Sequence, residues 1–464
     1  MKVTFLGGGS LRLLPILRGI MGEIPEVFRG GEIRLLDRRQ ERAEAVARLI
    51  EACPEYQNVS CKITCPAEID AALEGIDILY LTMAARREPS ETLAAFAAQE
   101  HGYYSSDQLS VNGAFLSLRL GNTILDIARK MEKLCPQALM LIFPNPVSVY
   151  SCMVNTYTKI KALGICGGFN NHRWDLSRLC GRNEFDPDWN VVAAGVNHLS
   201  FILRGEYKGE DLYASLLPRI LDQSWKCMEL PGSGNGGKAL ETALKTLYRL
   251  YRRYGTVIFS TELDGLAHIA CSEVMEFQRE RLAALPFYDP EREKVKSELA
   301  EQKRFDDFIR QSESPEQINW NIPWPENLYF GKDLTDISIP IFRAVAGIGK
   351  MRIVASRPNR GAVAGLPDNA ALEYTMDLFK DSIVPVENQF IPYPFQGLTA
   401  SLSEFQTLQA EAIAKHDPKI FASALDAYPV HRFQPGHKEF FRKMFDIYTD
   451  LDPRMLEARQ YFEK

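Results

Sequence analysis

The sequence lacks any apolar run as long as a membrane-spanning helix requires. It also lacks a charged N-terminal segment followed by a signal-peptide core, because a short strand pattern begins at residue 2. Its nine cysteines include no Cys-x-x-Cys pair, so reduced thiols are the default expectation. We therefore expect a cytoplasmic protein without disulfide bonds.

The sequence also lacks a polybasic block. Basic residues are scattered, and the net charge is −6, so nothing indicates a nucleic-acid partner or a membrane surface. Composition is ordinary for a globular protein, at 46% hydrophobic and 25% charged residues. A chain of 464 residues is too long for one ordinary core. The length suggests two domains, or one domain with a large appended layer, and we predict two interlocking domains over residues 1–200 and 201–464.

A strand, a glycine turn and a helix follow one another at the N-terminus. Lys2 to Leu6 is a short apolar run, the letters GGGS follow it, and Leu11 to Ile20 has helical apolar spacing. In a dinucleotide fold such glycines let the backbone approach a pyrophosphate on the helix N-terminus. The third glycine of the usual fingerprint is absent, and a plain strand-to-helix turn is the alternative. The pattern favours a nucleotide site.

The second apolar run ends in a carboxylate. Ile33 to Leu36 is followed by Asp37, and an acidic residue at this place in a dinucleotide fold accepts hydrogen bonds from the adenosine ribose. Asp37 would repel the 2′-phosphate of NADP, which favours NAD. Arg38 and Arg39 keep NADP open as an alternative.

Strand and helix patterns alternate through the first 200 residues. Further strands are predicted at Ile78 to Thr82, Ala138 to Phe143, Ala162 to Cys166 and Val191 to His198. Helices are predicted over Gln40 to Cys53 and, after a turn-rich segment from His101 to Leu118, over Leu118 to Leu134. The alternation predicts the α/β class, with a Rossmann-like, doubly wound parallel sheet. Beyond Asp211 helical spacing dominates, so the C-terminal domain should be mostly helical α+β.

Two strand ends carry candidate substrate residues. Arg87 comes soon after the strand that ends at Thr82, where open α/β sheets place their ligand crevice. Asn145 lies between two prolines directly after another strand, which would present a rigid side-chain amide at the same edge. A simple strand terminator is the equal alternative for Asn145.

Two further strands end in potential metal ligands, Cys166 and His198. A lone buried cysteine or histidine is more often structural than ligating. Both fall at strand ends that could share the crevice with Asn145, which favours a shared metal site. One thiolate and one imidazole would leave positions open for substrate oxygens, as in a catalytic site.

These motifs together resemble the NAD-dependent family 4 of glycoside hydrolases. KVTFLGGGS with LLDRRQERAE is similar to the nucleotide site of that family. GICGG and GVNHLSF are similar to its cysteine and histidine metal segments, and FPNPVSV to its sugar-contacting segment. RPNRGAVAGLPDNAALEY, IVPV and ALDAYPV resemble its C-terminal signatures. The resemblance runs almost from end to end and implies a C-terminal topology of the lactate/malate dehydrogenase type.

The resemblance implies a role for each candidate residue. NAD would contact Gly7, Gly9, Ser10 and Asp37, and Thr82, at the end of a predicted strand, is a further candidate for cofactor binding. A divalent cation, usually manganese, would bind Cys166 and His198. The sugar would contact Asn145, Arg87, Asp107 and Arg119. FSTELDGLAH resembles a segment that supplies a catalytic aspartate, here Asp264, but the tyrosine that usually follows is absent and His268 is the nearest titratable side chain.

The family chemistry explains why a hydrolase would need a dinucleotide. NAD takes hydride from C3 of the sugar, the resulting ketone makes the C2 proton acidic, and a base removes that proton. The metal polarises the C2 and C3 oxygens, the C1 substituent leaves, water adds and hydride returns. This differs from the paired carboxylates of most glycosidases. With the tyrosine missing, Asp264 or His268 would serve as the base.

Two other interpretations stay open on the sequence. A dehydrogenase of the malate type would share the sheet but would not need Cys166 and His198 to bind a metal. A degenerate relative would keep the nucleotide and lose turnover. For the glycosidase we expect a homodimer or homotetramer.

Overall fold

The structure is a computed structural model that describes residues 1–59, 61–84, 88–167, 176–177, 188–220, 248–259, 263–285, 287–322, 324, 326–430 and 436–463. Among the residues described, no helix combines the length and the apolar character needed to cross a lipid bilayer.

The described residues form fifteen strands, which we label in chain order. They are Lys2–Leu6 (β1), Glu32–Leu36 (β2), Lys62–Thr64 (β3), Ile78–Leu81 (β4), Leu139–Ile142 (β5), Lys161–Gly164 (β6), Trp189–Val196 (β7), Leu199–Tyr207 (β8), Glu210–Asp211 (β9), Ile258–Phe259 (β10), Met351–Pro358 (β11), Val363–Ala364 (β12), Ala371–Leu378 (β13), Ile383–Pro385 (β14) and Gln389–Phe390 (β15).

The α-helices of the described residues are labelled in the same way. They are Leu13–Glu23 (α1), Gln40–Ala52 (α2), Ile69–Leu73 (α3), Ser90–Glu100 (α4), Val111–Leu134 (α5), Val147–Tyr157 (α6), Leu217–Ile220 (α7), Cys271–Ala283 (α8), Pro290–Ser312 (α9), Ser338–Val345 (α10), Gln396–Lys415 (α11), Pro418–Ala427 (α12), His437–Ile447 (α13) and Pro453–Leu456 (α14).

The first six strands form a parallel sheet in the order β3-β2-β1-β4-β5-β6. That order reverses direction at β1, as in Rossmann folds, and places the ligand crevice at the carboxyl ends of the strands. The four residues of β4 and the four of β5 are all buried, as expected for strands covered on both faces by helices. The predicted Rossmann-like sheet is confirmed.

The sheet continues without interruption into an antiparallel half, in the order β6-β11-β13-β7-β8-β10. Two pairs in this half, β11 with β13 and β7 with β8, run alongside each other over most of their length, but the pairings that join these pairs to their neighbours are short. β11 pairs with β6 only at Ser356 and Gly164, and β13 pairs with β7 only at two positions, one of which joins Glu373 to Gly195. Helices α6 and α11 pack against this half. The predicted α/β plus α+β fold class is confirmed.

The two predicted domains share this single sheet. The predicted boundary at residue 200 falls inside β8, one residue after the strand begins. The buried guanidinium of Arg18 on α1 donates to Glu55 and to the carbonyl oxygens of Trp320 and Phe330. Segments distant in sequence therefore interlock, and the division into two domains stays a prediction.

The start of α5 differs from the prediction. The segment from His101 to Leu118 was expected to be turn-rich, but the helix begins at Val111. Ser110 caps it, because its hydroxyl oxygen accepts a hydrogen bond from the Gly113 amide at 3.3 Å. The polar residues in this first turn conceal the helical period in the sequence, since Asn112 is buried and hydrogen-bonded and not exposed.

Candidate active site

The glycine turn lies between the end of β1 and the start of α1. The amides of Gly7 and Gly8 both donate to the Leu36 carbonyl, at 3.0 and 2.9 Å, and so attach the turn to β2. Gly7 has φ 94°, and a Cβ atom there would lie 2.7 Å from the Met83 backbone nitrogen. A Cβ atom on Gly9 would lie 2.5 Å from the Cβ of Arg42. Both positions therefore require glycine, for backbone conformation in one case and for close packing in the other.

Asp37 and Thr82 both contact this turn. The Asp37 carboxylate accepts hydrogen bonds from the Gly9 and Arg39 amides, each at 3.0 Å. Thr82 donates from its hydroxyl to the Gly7 carbonyl at 2.9 Å, which ties the end of β4 to the turn. The Arg39 guanidinium donates to Gln302 on α9 at 2.7 Å. Because Arg39 is paired with Gln302 of the same chain, it is less available to bind the 2′-phosphate of NADP.

Arg12 occupies the position of the missing third glycine. Its guanidinium carbon lies 4.8 Å from the ring centroid of Phe143, at the end of β5. Phe143 stands two residues before Asn145, so the cation–π contact brings the start of α1 beside the predicted sugar segment. The nucleotide turn and the strand end that carries Asn145 thus share one edge of the sheet.

Cys166 and His198 come together, although 32 residues separate them in sequence. The Cys166 sulfur lies 3.5 Å from Nε2 of His198. Two atoms bound to one metal at about 2.3 and 2.1 Å lie about 3.6 Å apart at a tetrahedral angle. The predicted ligands therefore have a separation that suits a shared metal ion. Cys166 is partly exposed and His198 is 1% exposed.

Asp264 holds the other side of the His198 ring. Nδ1 of His198 lies 3.1 Å from both carboxylate oxygens of Asp264, which is fully buried. Histidine ligands of metals usually have such a carboxylate on the remote nitrogen, where it fixes the tautomer and the ring orientation. Burial disfavours the charged imidazole, but Asp264 and Cys166 outweigh it and raise the pKa of His198 well above its ordinary value. Asp264 and Cys166 therefore favour positive charge on the His198 ring.

The Asp264 carboxylate is engaged by further donors. The Ser106 hydroxyl and the Leu109 amide donate to Oδ2 at 2.9 and 3.2 Å, and the Gly265 amide donates to Oδ1 at 2.9 Å. A carboxylate that accepts hydrogen bonds from this many fixed donors is held in one orientation. Sequence reasoning missed Ser106 and Leu109. The only sequence signal was their place in the same polar segment as Asp107.

Asn145 and Asp107 lie beside this cluster. The Asn145 side-chain amide donates to Oδ2 of Asp107 at 2.9 Å, and Asp107 is one residue from Ser106. Asp107 is 5% exposed. The structure thus brings Asn145 and Asp107 together, in one hydrogen-bonded group adjacent to the Asp264 segment.

The structure places Arg119 with other partners. Its guanidinium donates to Asp450 at 2.9 and 3.0 Å and to the Ser90 hydroxyl at 3.0 Å, and it lies 4.9 Å from the ring centroid of Tyr448. These contacts join α5 to the C-terminal segment. A role for Arg119 in sugar binding stays a prediction. Arg87 lies outside the described residues.

His268, the second candidate base, lies one helical turn after Asp264. Its Nδ1 is 3.0 Å from the Asp264 carbonyl oxygen and its Nε2 is 2.9 Å from the Tyr428 hydroxyl. Burial lowers the pKa of His268, against the opposing effect of Asp264. A neutral ring that donates from Nδ1 to the carbonyl would accept at Nε2. Tyr428 was not predicted as a site residue, because its partner lies 160 residues away in sequence.

Across the described ranges, no group of three or more histidine, cysteine, aspartate or glutamate side chains is arranged to hold a metal ion. Cys166 and His198 form a pair, with Asp264 on the far side of the imidazole. A thiol and an imidazole suit a transition metal, and two protein ligands leave several coordination positions for oxygen atoms from substrate or water.

Comparison with known proteins identifies the family. A model of the family 4 glycosyl hydrolases matches residues 2–179, and a model of the family 4 C-terminal domain matches residues 193–430. The chain belongs to family 4 of the glycosyl hydrolases. The resemblance inferred from the motifs is therefore confirmed.

Curated relatives in family 4 are distant. An alpha-galactosidase of Bacillus subtilis is 26% identical over 227 residues, which cover 48% of this chain and 51% of that enzyme, so the match spans about half of its length. An alpha-galacturonidase of Thermoanaerobacter italicus is 21% identical over 471 residues, covering 96% of each chain. The chain is a divergent member of family 4, as predicted.

Solved family 4 structures share the fold. The 6-phospho-beta-glucosidase of Thermotoga maritima with manganese, NAD+ and glucose-6-phosphate has a TM-score of 0.71 at 14% identity, covering 97% of this chain and 99% of that one. A 6-phospho-alpha-glucosidase from gut microorganisms in complex with NAD and Mn2+ has a TM-score of 0.70 at 16% identity, covering 99% and 98%. The fold assignment is therefore the same from sequence, structure and comparison.

Proposed function

We propose that the chain hydrolyses O-glycosidic bonds with NAD and a divalent metal, Mn2+, by oxidation at C3, deprotonation at C2 and elimination at C1. The observation that carries the proposal is the Cys166, His198 and Asp264 arrangement. A redox-only dehydrogenase of this fold could use an imidazole oriented by a carboxylate, but it would not need a cysteine sulfur 3.5 Å from that imidazole to bind a metal. The family 4 neighbours in complex with NAD and manganese support the same choice.

In this proposal Cys166 and His198 hold the metal and Asp264 holds His198. When bound, the metal would polarise the C2 and C3 oxygens of the sugar as a Lewis acid. The Asp264 carboxylate keeps Nε2 of His198 directed at the Cys166 sulfur, because it fixes the ring through Nδ1. We therefore assign Asp264 a positioning role.

Gly7, Gly9 and Ser10 bind the NAD pyrophosphate in this proposal, Asp37 binds the adenosine ribose, and Thr82 supports the turn. When bound, NAD would accept hydride from C3 and return it at the end of the cycle. Glycine at positions 7 and 9 lets the turn pack closely against Met83 and Arg42, and the turn lies between β1 and the N-terminus of α1, where dinucleotide folds bind a pyrophosphate.

Asn145 orients the sugar in this proposal. The side-chain nitrogen of Asn145 donates to Asp107, and this contact fixes the orientation of the amide. In this proposal the side-chain oxygen of Asn145 accepts a hydrogen bond from the sugar. Arg87 and Arg119 remain proposed substrate residues, and the contacts of Arg119 make it the less favoured of the two.

We assign the base to His268. Asp264 is fully buried and saturated by protein donors, whereas His268 keeps part of its surface accessible and has a lowered pKa, so its ring is neutral and able to accept a proton. The Tyr428 hydroxyl beside Nε2 could pass a proton to it. Removing a general base typically costs a factor of about 10² to 10⁴ in rate.

An isotope experiment tests the reaction. Turnover of a glycoside panel in D2O, with NAD, Mn2+ and a thiol reductant, should place deuterium at C2 of the released sugar, since that proton leaves and is replaced from solvent. NADH should not accumulate. Hydrolysis at full conversion without C2 exchange would overturn the proposed chemistry, and net NADH formation without cleavage would favour the malate-type alternative.

Matched variants separate the two candidate bases. His268→Gln should abolish C2 exchange in NAD- and Mn2+-loaded protein while leaving metal affinity unchanged. Asp264→Asn should weaken metal binding as well, because it disturbs His198. If His268→Gln retains full exchange and Asp264→Asn loses it with metal still bound, the base assignment passes to Asp264.

Assembly stays a prediction. Phe287 is 94% exposed and Leu299, on the outer face of α9, is 66% exposed, which is compatible with a homodimer or homotetramer. Light scattering of the purified protein would decide between them.

A further inference from the structure

Glu373 is a buried carboxyl group that the proposed reaction does not use. It lies on β13 and is 2% exposed. Asn197 donates from its side-chain amide to Oε2 of Glu373 at 2.6 Å. The other carboxyl oxygen, Oε1, is buried and has no hydrogen-bond partner among the described residues. Leaving a buried acceptor unpaired is costly, so such a group calls for a physical explanation.

Asn197 carries a second oxygen of the same kind. Its Oδ1 is also buried without a partner among the residues the structure describes. Burial raises the pKa of the Glu373 carboxyl to about 7, against the lowering effects of the Asn197 hydrogen bond and of His198. A neutral carboxyl group has an O–H donor as well as an acceptor, and a side-chain amide has both too. A neutral Glu373 therefore offers Asn197 the same donor and acceptor types as an amide does.

Asn197 and His198 are the two residues of the turn between β7 and β8, which closes at the Val196 and Leu199 pair. His198 has φ 72°, in the left-handed region that is costly for a residue with a side chain. Such a conformation persists only where the surroundings hold it. The turn therefore needs contacts that compensate for its strain.

Backbone pairing supplies few of these contacts from the neighbouring strand. β13 pairs with β7 only at Tyr374 with Ala194 and at Glu373 with Gly195. Gly195 stands two residues before Asn197, so the described sheet pairing from β13 ends just short of the turn. The side chain of Glu373 continues the connection where the backbone pairing stops.

We propose that Glu373 is a positioning residue that acts through Asn197 to hold the strained turn in the geometry that directs His198 at Cys166. The consequence for metal affinity rests on the proposed function. The contact itself is a property of the metal-free chain, so it can be tested separately.

The first test observes His198 directly in metal-free protein. Nitrogen-15 labelling of the seven histidines, with His198→Gln to assign the signal, would report the tautomer and environment of its ring. Glu373→Ala and Asn197→Ala should both shift the His198 ring signals. Glu373→Gln should restore them, because an amide can accept from and donate to Asn197.

A matched control lies on the same strand. Thr375 is fully buried, and its hydroxyl accepts from the Ala193 amide at 2.8 Å and donates to the Ala193 carbonyl at 3.0 Å. Thr375→Val removes a buried contact between β13 and β7 that does not reach the turn. It should lower stability without shifting the His198 signals.

The second test measures Mn2+ affinity by electron paramagnetic resonance. Loss of a group that orients a metal ligand typically costs about 10-fold to 100-fold in affinity, which is the loss expected for Glu373→Ala and for Asn197→Ala. The double variant should lose no more than either single variant, since both act through one contact. Glu373→Gln and Thr375→Val should bind Mn2+ with the affinity of the wild-type protein.

Each other outcome is decisive. Unchanged His198 signals in both alanine variants would overturn the positioning role. A Glu373→Gln variant as defective as Glu373→Ala would show that a charged carboxylate matters and not the paired contact. If Glu373→Ala fails to fold, Asn197→Ala decides alone. Absence of Mn2+ binding by the unchanged chain would contradict the proposed function, while the His198 signals would still decide the role of Glu373.

Discussion

The glycine turn and the Cys166 site are built in different ways, although they border the same sheet edge. The turn is local, because its glycines and Asp37 lie within 40 residues and act through backbone amides. The Cys166 site collects side chains from segments up to about 100 residues apart, since Cys166 pairs with His198 and His198 with Asp264. A backbone site depends on local conformation, whereas a side-chain site depends on how distant strands cross. Variants should therefore affect the two sites independently.

The largest expected effect is a loss of metal binding with the nucleotide site intact. His198→Ala removes one of two proposed protein ligands, so Mn2+ affinity should fall by more than the roughly 100-fold upper range for an orienting group. Cys166→Ser should act similarly. Asp264→Asn should lower Mn2+ affinity by about 10-fold to 100-fold, because it removes a group that orients a ligand. Mn2+ titration by electron paramagnetic resonance, alongside NAD titration by fluorescence, measures both sites.

NAD affinity serves as the internal control for that series, because the glycine turn is held by Leu36, Asp37 and Thr82, which these substitutions leave unchanged. If His198→Ala lowers NAD affinity as much as Mn2+ affinity, the two sites are coupled. That result would contradict the expectation that variants affect them independently. Unchanged Mn2+ affinity in both His198→Ala and Cys166→Ser would show that the metal binds elsewhere.

A second expected effect concerns pH, because two buried carboxyl groups, Asp336 and Glu373, have raised pKa values. Burial, with the nearby Asp333 charge, raises the pKa of Asp336 to about 6, and burial raises that of Glu373 to about 7. Both groups bind more protons when folded than when unfolded. The free energy of unfolding should therefore fall as pH rises from about 4 to about 7, by roughly 2 to 3 kcal/mol for each group.

Urea unfolding at several pH values checks this effect. Asp336→Asn and Glu373→Gln should each flatten the decrease. Asp377 is the matched control with the opposite sign, because hydrogen bonds from Arg352 lower its pKa, so its contribution is lost as pH falls. A decrease that persists unchanged in both variants would assign the pH dependence to other groups.

The smallest expected effect is in cofactor choice. Asp37→Ala should weaken the binding of NAD by about 1 to 3 kcal/mol, because the ribose hydrogen bond is lost. It should weaken the binding of NADP less. Asp37→Asn is the control, since its side-chain oxygen can still accept from the Gly9 amide and preserve the turn. Equal losses for NAD and NADP in Asp37→Ala would indicate that Asp37 supports only the turn.

Much of the fold follows from the sequence, because its signals are local. Parallel strands buried on both faces read as continuous apolar runs, and β4 and β5 were predicted within one or two residues. The start of α5 was mispredicted, since a capping Ser110 and a buried Asn112 in the first turn look like loop residues without their partners. Local pattern therefore identifies an element more reliably than it places its end.

The sequence by itself determined the nucleotide turn, the alternating strands and the presence of Cys166, His198, Asp264 and His268. Only the tertiary structure decided their relations: that Asp264 orients His198, that His268 contacts Tyr428, and that Glu373 lies beneath the turn through Asn197. The physical reason is the separation along the chain over which each kind of interaction acts. Apolar periodicity and glycine conformation act between near neighbours in the chain, whereas a side-chain hydrogen bond requires distant backbones to be placed within about 3 Å, which packing of the whole sheet achieves.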